Sequence, residues 1–225
     1  MILYHLIKVS MSQFDRLPND VIVYLAFDYD LPTIVAFCRS SKRFNKLICQ
    51  NNNFWLSKIG RDYGLSRTDI PSQYDKRYRE YYKDVTQWLQ NDALTPDRLD
   101  LAKVGIYLGE LSYFDLIEVL KKGYNDIAIY LIDNGIINSE MAATMVITKI
   151  LDLIDKESDI NKRVKLFELL YDNVLPAGYK YLKHPRYKKF WAVVISKLED
   201  PEILQFPTIK DIYKRRFEEF NQMTG

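Results

Sequence analysis

His5 and His184 are the chain's two histidines, and Cys38 and Cys49 its two cysteines. A zinc module needs about four ligands in paired spacings. The cysteines form no CxxC pair and the histidines lie at opposite ends, so no metal site is expected. Attack by serine or cysteine needs a base within hydrogen-bond reach. With His5 in an apolar leading stretch, only His184 is available, and no spacing pairs it with either thiol. The sequence holds no GxxxxGK loop, GxGxxG turn, GxSxG elbow, HExxH helix or calcium loop. Gly105 and Gly109 have GxxxG spacing without the lipid-length apolar run that gives it meaning. Carboxylate neighbours such as Asp28/Asp30 and Glu218/Glu219 read as solvated or capping groups. These residues argue against an enzyme and against a cofactor. Both cysteines fall in apolar helical stretches and are expected as buried, inert thiols rather than a disulfide scaffold.

Something other than catalysis must therefore use the chain's 225 residues, a length that suits one large domain or two small ones. Apolar residues make up 48% and charged residues 28%, an ordinary globular composition, and 14% aromatic residues argue against extensive disorder. The net charge is +2, so a nucleic-acid role would need a local patch. One basic stretch exists. Between Asp172 and Glu199 there is no acidic residue, and Lys180, Lys183, Arg186, Lys188, Lys189 and Lys197 alternate with Tyr179, Tyr181, Tyr187, Phe190 and Trp191. Three readings stay open: a solvated basic helix face over an aromatic core side, a face for an acidic protein, or a groove tracking a nucleic-acid backbone. No run reaches the ~18 apolar residues of a membrane span. Met1 to Ile7 is apolar but lacks the basic start and cleavage site of a signal peptide. Residues 1–10 read as an extension, with Met11 as an alternative start.

The elements are helices throughout. Leu17-Pro18, Asp30-Leu31-Pro32 and Ser40-Ser41 open three short ones, Asn51-Asn52-Asn53 interrupts, and Gly64 ends a fourth. Tyr74, Tyr78, Tyr81, Tyr82, Val85, Trp88 and Leu89 recur at steps of three and four along an amphipathic helix over 73–90. Beyond Thr95-Pro96-Asp97 only helical periodicity follows, over 116–120, 127–132, 141–154, 160–171, 187–198 and 209–220. Strand signals are absent. The fold class is all-α.

Leu116 to Gly135, with glycines at Gly123 and Gly135, resembles the helix–turn–helix body of an ankyrin repeat, with Ile127, Leu131 and Ile132 packing inward. Ile160 to Asn173, with Val164, Phe167 and Leu170 inward, resembles a second outer helix, although the Thr-Pro-Leu-His opening is missing. An irregular helical bundle is the equal alternative.

Leu17 to Trp55 resembles an F-box. The pattern is Leu17-Pro18-Asn19-Asp20-Val21-Ile22, Leu25, Leu31-Pro32, Ile34, Cys38, Ser41-Lys42-Arg43-Phe44, Leu47 and Phe54-Trp55. Phe44 stands where tryptophan is usual, Ser40 where a branched aliphatic is common, and one extra residue precedes Trp55. With Asp62-Tyr63-Gly64 and a helical region following, the style is similar to F-box proteins of large DNA viruses. The resemblance implies a non-catalytic receptor subunit of a ubiquitin ligase inside the cell, whose F-box binds a Skp-type adaptor and through it a cullin scaffold. It implies that Leu17, Pro18, Ile22, Leu25, Leu31, Pro32, Ile34, Cys38, Phe44, Leu47 and Trp55 contact or support the adaptor. Plain core packing is the alternative for the same residues. Expected divisions are an extension over 1–10, an F-box over 11–65, a connection over 66–95 and a target-recognition domain over 96–225. Two other functions remain: an interaction protein with no link to ubiquitin, and nucleic-acid binding through 179–191. No membrane partner is expected.

Overall fold

Side-chain caps set the helix starts. Pro18 precedes α1 (Asn19–Ala26). Asp30 opens α2 (Leu31–Ser40) by accepting the Thr33 amide at 3.0 Å, with Pro32 in the first turn. Ser41 accepts the Phe44 amide at 3.2 Å and starts α3 (Lys42–Phe44). This short turn runs on as a π turn over Asn45–Cys49, closed by the Gln50 amide on the Asn45 carbonyl at 2.9 Å. Asn51 accepts two amides at the start of α4 (Asn52–Tyr63), which ends at Gly64 with φ of 69°. After two 3-10 turns, α5 (Tyr78–Trp88) turns Tyr78, Tyr81, Tyr82, Val85 and Trp88 inward.

The computed structural model describes residues 16–90, 94–199, 201–205, 207, 209–211 and 213–214. The expected extension over 1–10 and the end of the expected helix over 209–220 lie outside the described residues. Among the described residues there is no strand, and the fold is all-α.

The chain divides into two compact units, one ending at Ala93 and one beginning at Leu94. In the first, the π turn packs on α1, α2 and α4, and α5 lies along α4. The stretch 66–95, expected as a connection, thus contributes most of its length to the first unit. The aromatic stripe of α5 explains this: exposed, it would leave five large side chains in water.

The second unit contains α6 (Leu99–Leu108), α7 (Tyr113–Lys122), α8 (Asn125–Asp133), α9 (Glu140–Lys156), α10 (Ile160–Leu169), α11 (Leu175–Leu182) and α12 (Lys188–Leu198). Gly123, with φ of 73°, ends α7 just before α8, where the spacing predicts a tight turn. Ile160 to Asn173 is α10 running into a second π turn, with Phe167 and Leu170 buried and Val164 half-buried. α9 is the central element: α7, α10, α11 and α12 all pack on it, and it buries Ala142, Ala143, Val146, Ile147, Ile150, Leu151 and Ile154.

Gly178 is what lets α11 close on α9. A Cβ there would meet Ile147 Cδ1 at 2.8 Å and Ala143 Cβ at 3.6 Å. Gly178→Val should force the two helices apart and cost about 1–3 kcal/mol, the usual range for overpacking. A lowered thermal midpoint with helical content retained at low temperature is the expected result.

Candidate functional site

The residues expected at the adaptor interface fall into two groups. Ile22, Ile34, Phe44 and Trp55 are buried inside the first unit, so they can support a surface but cannot form it. Leu17, Leu25, Leu31 and Leu47 are half-buried, and Pro18 and Pro32 are exposed. Tyr24, which sequence reasoning passed over, is 70% exposed. It lies on α1 three positions after Val21 and beside Leu25, so these three share one side of the helix. The helical spacing of its neighbours was legible; its exposure was not.

Arg43 explains how the start of α1 is held. Its guanidinium donates to the Leu17 carbonyl at 2.7 Å and to Asn19 Oδ1 at 3.0 and 2.7 Å. The Lys-Arg-aromatic triplet thereby fixes the Leu17-Pro18 turn, 26 residues earlier in the chain.

Cys38 and Cys49 are joined in a disulfide, with their Cα atoms 6.2 Å apart. This corrects the expectation that both are free, inert thiols. The physical reason is the π turn. Its wider hydrogen-bonded ring places one more residue in the turn than an α-helix would, and it ends on Cys49 against α2.

Beneath this surface lies a polar network. Lys58 is 2% exposed; its Nζ donates to the Phe27 carbonyl at 2.8 Å and pairs with Asp62 Oδ2 at 2.8 Å. The same carboxylate oxygen accepts from the Tyr82 hydroxyl at 2.7 Å. Tyr63 and Thr86 share a hydrogen bond of 2.8 Å, and Thr86 donates onward to the Tyr82 carbonyl. Burial first, then the bond to Asp62, pushes the Tyr82 hydroxyl far above the usual tyrosine range, and burial raises that of Tyr63. Rings close round the network: Phe27 on Phe54 at 4.9 Å, Trp55 on Tyr82 at 5.4 Å and Tyr63 on Tyr82 at 5.0 Å. Trp55 also donates its indole N–H to the Cys49 carbonyl at 3.3 Å.

In the second unit the basic stretch lies on α11, the following 3-10 turn and the start of α12. Lys180, Lys183, Arg186, Lys188 and Lys189 are exposed. The aromatic residues among them face inward or are engaged. Trp191 is buried and donates to the Leu182 carbonyl at 2.9 Å, with Tyr179 and Phe190 against its ring. Arg186 and the Tyr187 hydroxyl both bond the Glu140 carboxylate and hold its carboxyl below the ordinary glutamate range. Lys180 lies over the Tyr181 ring, 5.7 Å from its centroid.

A groove of about 640 Å³ opens between α7, α9 and α12. Ile117, Leu151 and Val194 form its buried floor, and Phe114, Met145 and Val193 stand on its walls at 58%, 45% and 58% exposure. Glu118 pairs with Lys121 on one rim, and Asp152 pairs with Lys149 at 2.8 Å and Lys156 at 2.6 Å on another. Those two lysines hold the Asp152 carboxyl down to about 2. The groove was not anticipated, because its walls come from three helices separated in sequence. Among the described residues, no three histidine, cysteine or acidic side chains could hold a metal ion, and no helix is long and apolar enough to cross a membrane.

Removing Lys58 tests the buried network. Lys58→Ala leaves Asp62 without its cation and the Phe27 carbonyl without its donor, and should destabilise the chain by about 3–5 kcal/mol. Lys58→Met/Asp62→Asn should recover part of that loss, measured by urea unfolding. As to known proteins, no family model, no curated protein and no solved structure matches the chain.

Proposed function

We propose that the chain is a non-catalytic receptor subunit of a Skp-cullin-F-box ubiquitin ligase. The first unit docks on the Skp-type adaptor and the second holds the target protein. The observation that carries this reading is the surplus of apolar surface around the first two helices. Pro18, Tyr24 and Pro32 are exposed and Leu17, Leu25, Leu31 and Leu47 half-buried, over a core that already buries Ile22, Ile34, Phe44 and Trp55. Apolar side chains left exposed or half-exposed on neighbouring elements in this number are a mark of protein-binding surfaces. The ordered motif from Leu17 to Trp55 supplies the kind of partner. The hairpin of α7 and α8 supports an ankyrin-like character for the recognition half.

The mechanism needs no bond chemistry from this chain. Holding a target near a charged conjugating enzyme raises the effective concentration of its lysines, to roughly the mM range for a well-matched tether. The two units then act as two binding faces.

The Cys38–Cys49 disulfide favours a second reading, an interaction protein with no link to ubiquitin. Structural disulfides persist in oxidising compartments and are rare in the cytosol, where the ligase machinery works. Closing a loop of this size contributes about 2–3 kcal/mol. Adaptor binding by the reduced chain is therefore the discriminating case.

The experiment is co-purification of the full chain with a Skp-type adaptor, with and without a dithiol reductant. Beside it runs Leu17→Ala/Pro18→Ala/Leu31→Ala, whose altered side chains are not core. Binding by the reduced chain, lost in the triple variant while circular dichroism stays helical, is the expected outcome. Absence of binding in the reduced state, or equal binding by the variant, overturns the adaptor reading.

A further inference from the structure

We propose that the groove between α7, α9 and α12 receives an amphipathic helix of a partner protein, with acidic residues flanking its apolar stripe. The inference rests on reading the second unit as the recognition half, but not on adaptor docking by the first.

Shape is the first argument. α9 buries seven apolar side chains, yet leaves Met145 45% exposed at the groove, facing Phe114 of α7 and Val193 of α12. Single exposed apolar residues are ordinary, but three converging on one concavity are not. A volume of about 640 Å³ is enough to bury several apolar side chains. Helical walls with an apolar floor suit the mode in which a guest helix inserts side chains at steps of three and four. Met145, with its unbranched thioether, adapts its shape to such a guest.

Charge selects among guests. On α12, Lys189 lies one turn before Val193 and Lys197 one turn after it, so cations stand at both ends of the apolar strip. Around the groove Lys121, Lys149, Lys156 and Lys197 share three carboxylates, those of Glu118, Asp152 and Asp155. Lys189, next to this strip, has no carboxylate partner among the described residues. The rim therefore attracts an acidic flank and repels a basic one. Nucleic acid fits less well. Its phosphates would gain nothing from an apolar floor, and the indole of Trp191 is buried rather than offered for base stacking.

The test uses the full chain and a displayed library of helical peptides of about 16 residues, randomised at the apolar and flanking positions. Enriched peptides are then synthesised and titrated by fluorescence anisotropy. Enrichment of leucine-like residues at steps of three and four, with acidic flanks, is expected. Exchanging those flanks for lysine should weaken binding about tenfold at low salt, and the difference should shrink as salt rises. Val193→Glu and Met145→Glu, both at exposed positions, should abolish binding with the thermal midpoint unchanged. Lys189→Glu should reverse the flank preference. Several results would overturn the proposal: no enrichment, no flank preference, or unchanged binding by Val193→Glu. Displacement of the peptide by a single-stranded oligonucleotide would assign the groove to nucleic acid instead. A dimer in sedimentation that is lost in Val193→Glu would assign it to a second copy. No adaptor is present in these measurements, so their failure and that of adaptor docking are read separately.

Discussion

The first unit is organised around one buried amine. Lys58 comes from α4, the carbonyl it serves belongs to Phe27 just past α1, and its carboxylate partner Asp62 is held by Tyr82 of α5. Taking an amine and a carboxylate out of water costs several kcal/mol each, and only close geometry with every polar atom satisfied returns that cost. Three elements are thereby constrained together, because moving any one exposes a charge or orphans a carbonyl. The carbonyl is one that a helix end leaves without an intrahelical donor, and a cation is the favoured group at that end. A charged side chain thus performs the task of a C-cap from another helix. It fixes the end of α1 that carries Tyr24 and Leu25, and Arg43 fixes the other by holding Leu17 and Asn19. Hydrogen bonds thus hold both ends of the helix that carries the exposed Tyr24.

What the sequence made legible is what neighbours in the chain decide. Pro18, Asp30, Pro32, Asn51 and Gly64 act within one turn of themselves, and the helix starts and ends they mark are present. The aromatic periodicity of α5 likewise needed only its own spacing. What stayed hidden depends on partners far along the chain. Lys58 reads as a polar residue on an amphipathic helix, and nothing beside it announces that Phe27 needs a donor. The two π turns, over Asn45–Cys49 and Leu170–Val174, each insert a residue into the helical count and have no local signature. The first delivers Cys49 to Cys38, eleven residues earlier in the chain, and the two meet in a covalent bond.

The two candidate surfaces differ in the same respect. The apolar side chains of the first unit come from a continuous motif, so all but Tyr24 could be named in advance, though not divided into buried and exposed ones. Ile22, Ile34, Phe44 and Trp55 are buried in the core of the first unit. The groove of the second unit draws Phe114, Met145 and Val193 from three helices, and each looks unremarkable in its own segment. Only packing around α9 makes them a site. The basic stretch has a similar history. Read along the chain it is cations interleaved with rings, but folding turns Trp191 inward and spends Arg186 on Glu140.

These two surfaces set what the chain can do. The buried polar network of the first unit is closed upon itself. Every oxygen and nitrogen named in it has a partner within the fold, and Trp55, Tyr63 and Tyr82 seal it. The unsatisfied surface is apolar and lies outside, on α1, α2 and the groove walls, where it gains free energy only by covering with another apolar surface. On the proposed reading a partner protein supplies that cover, while the buried polar network keeps the helices beneath it in place.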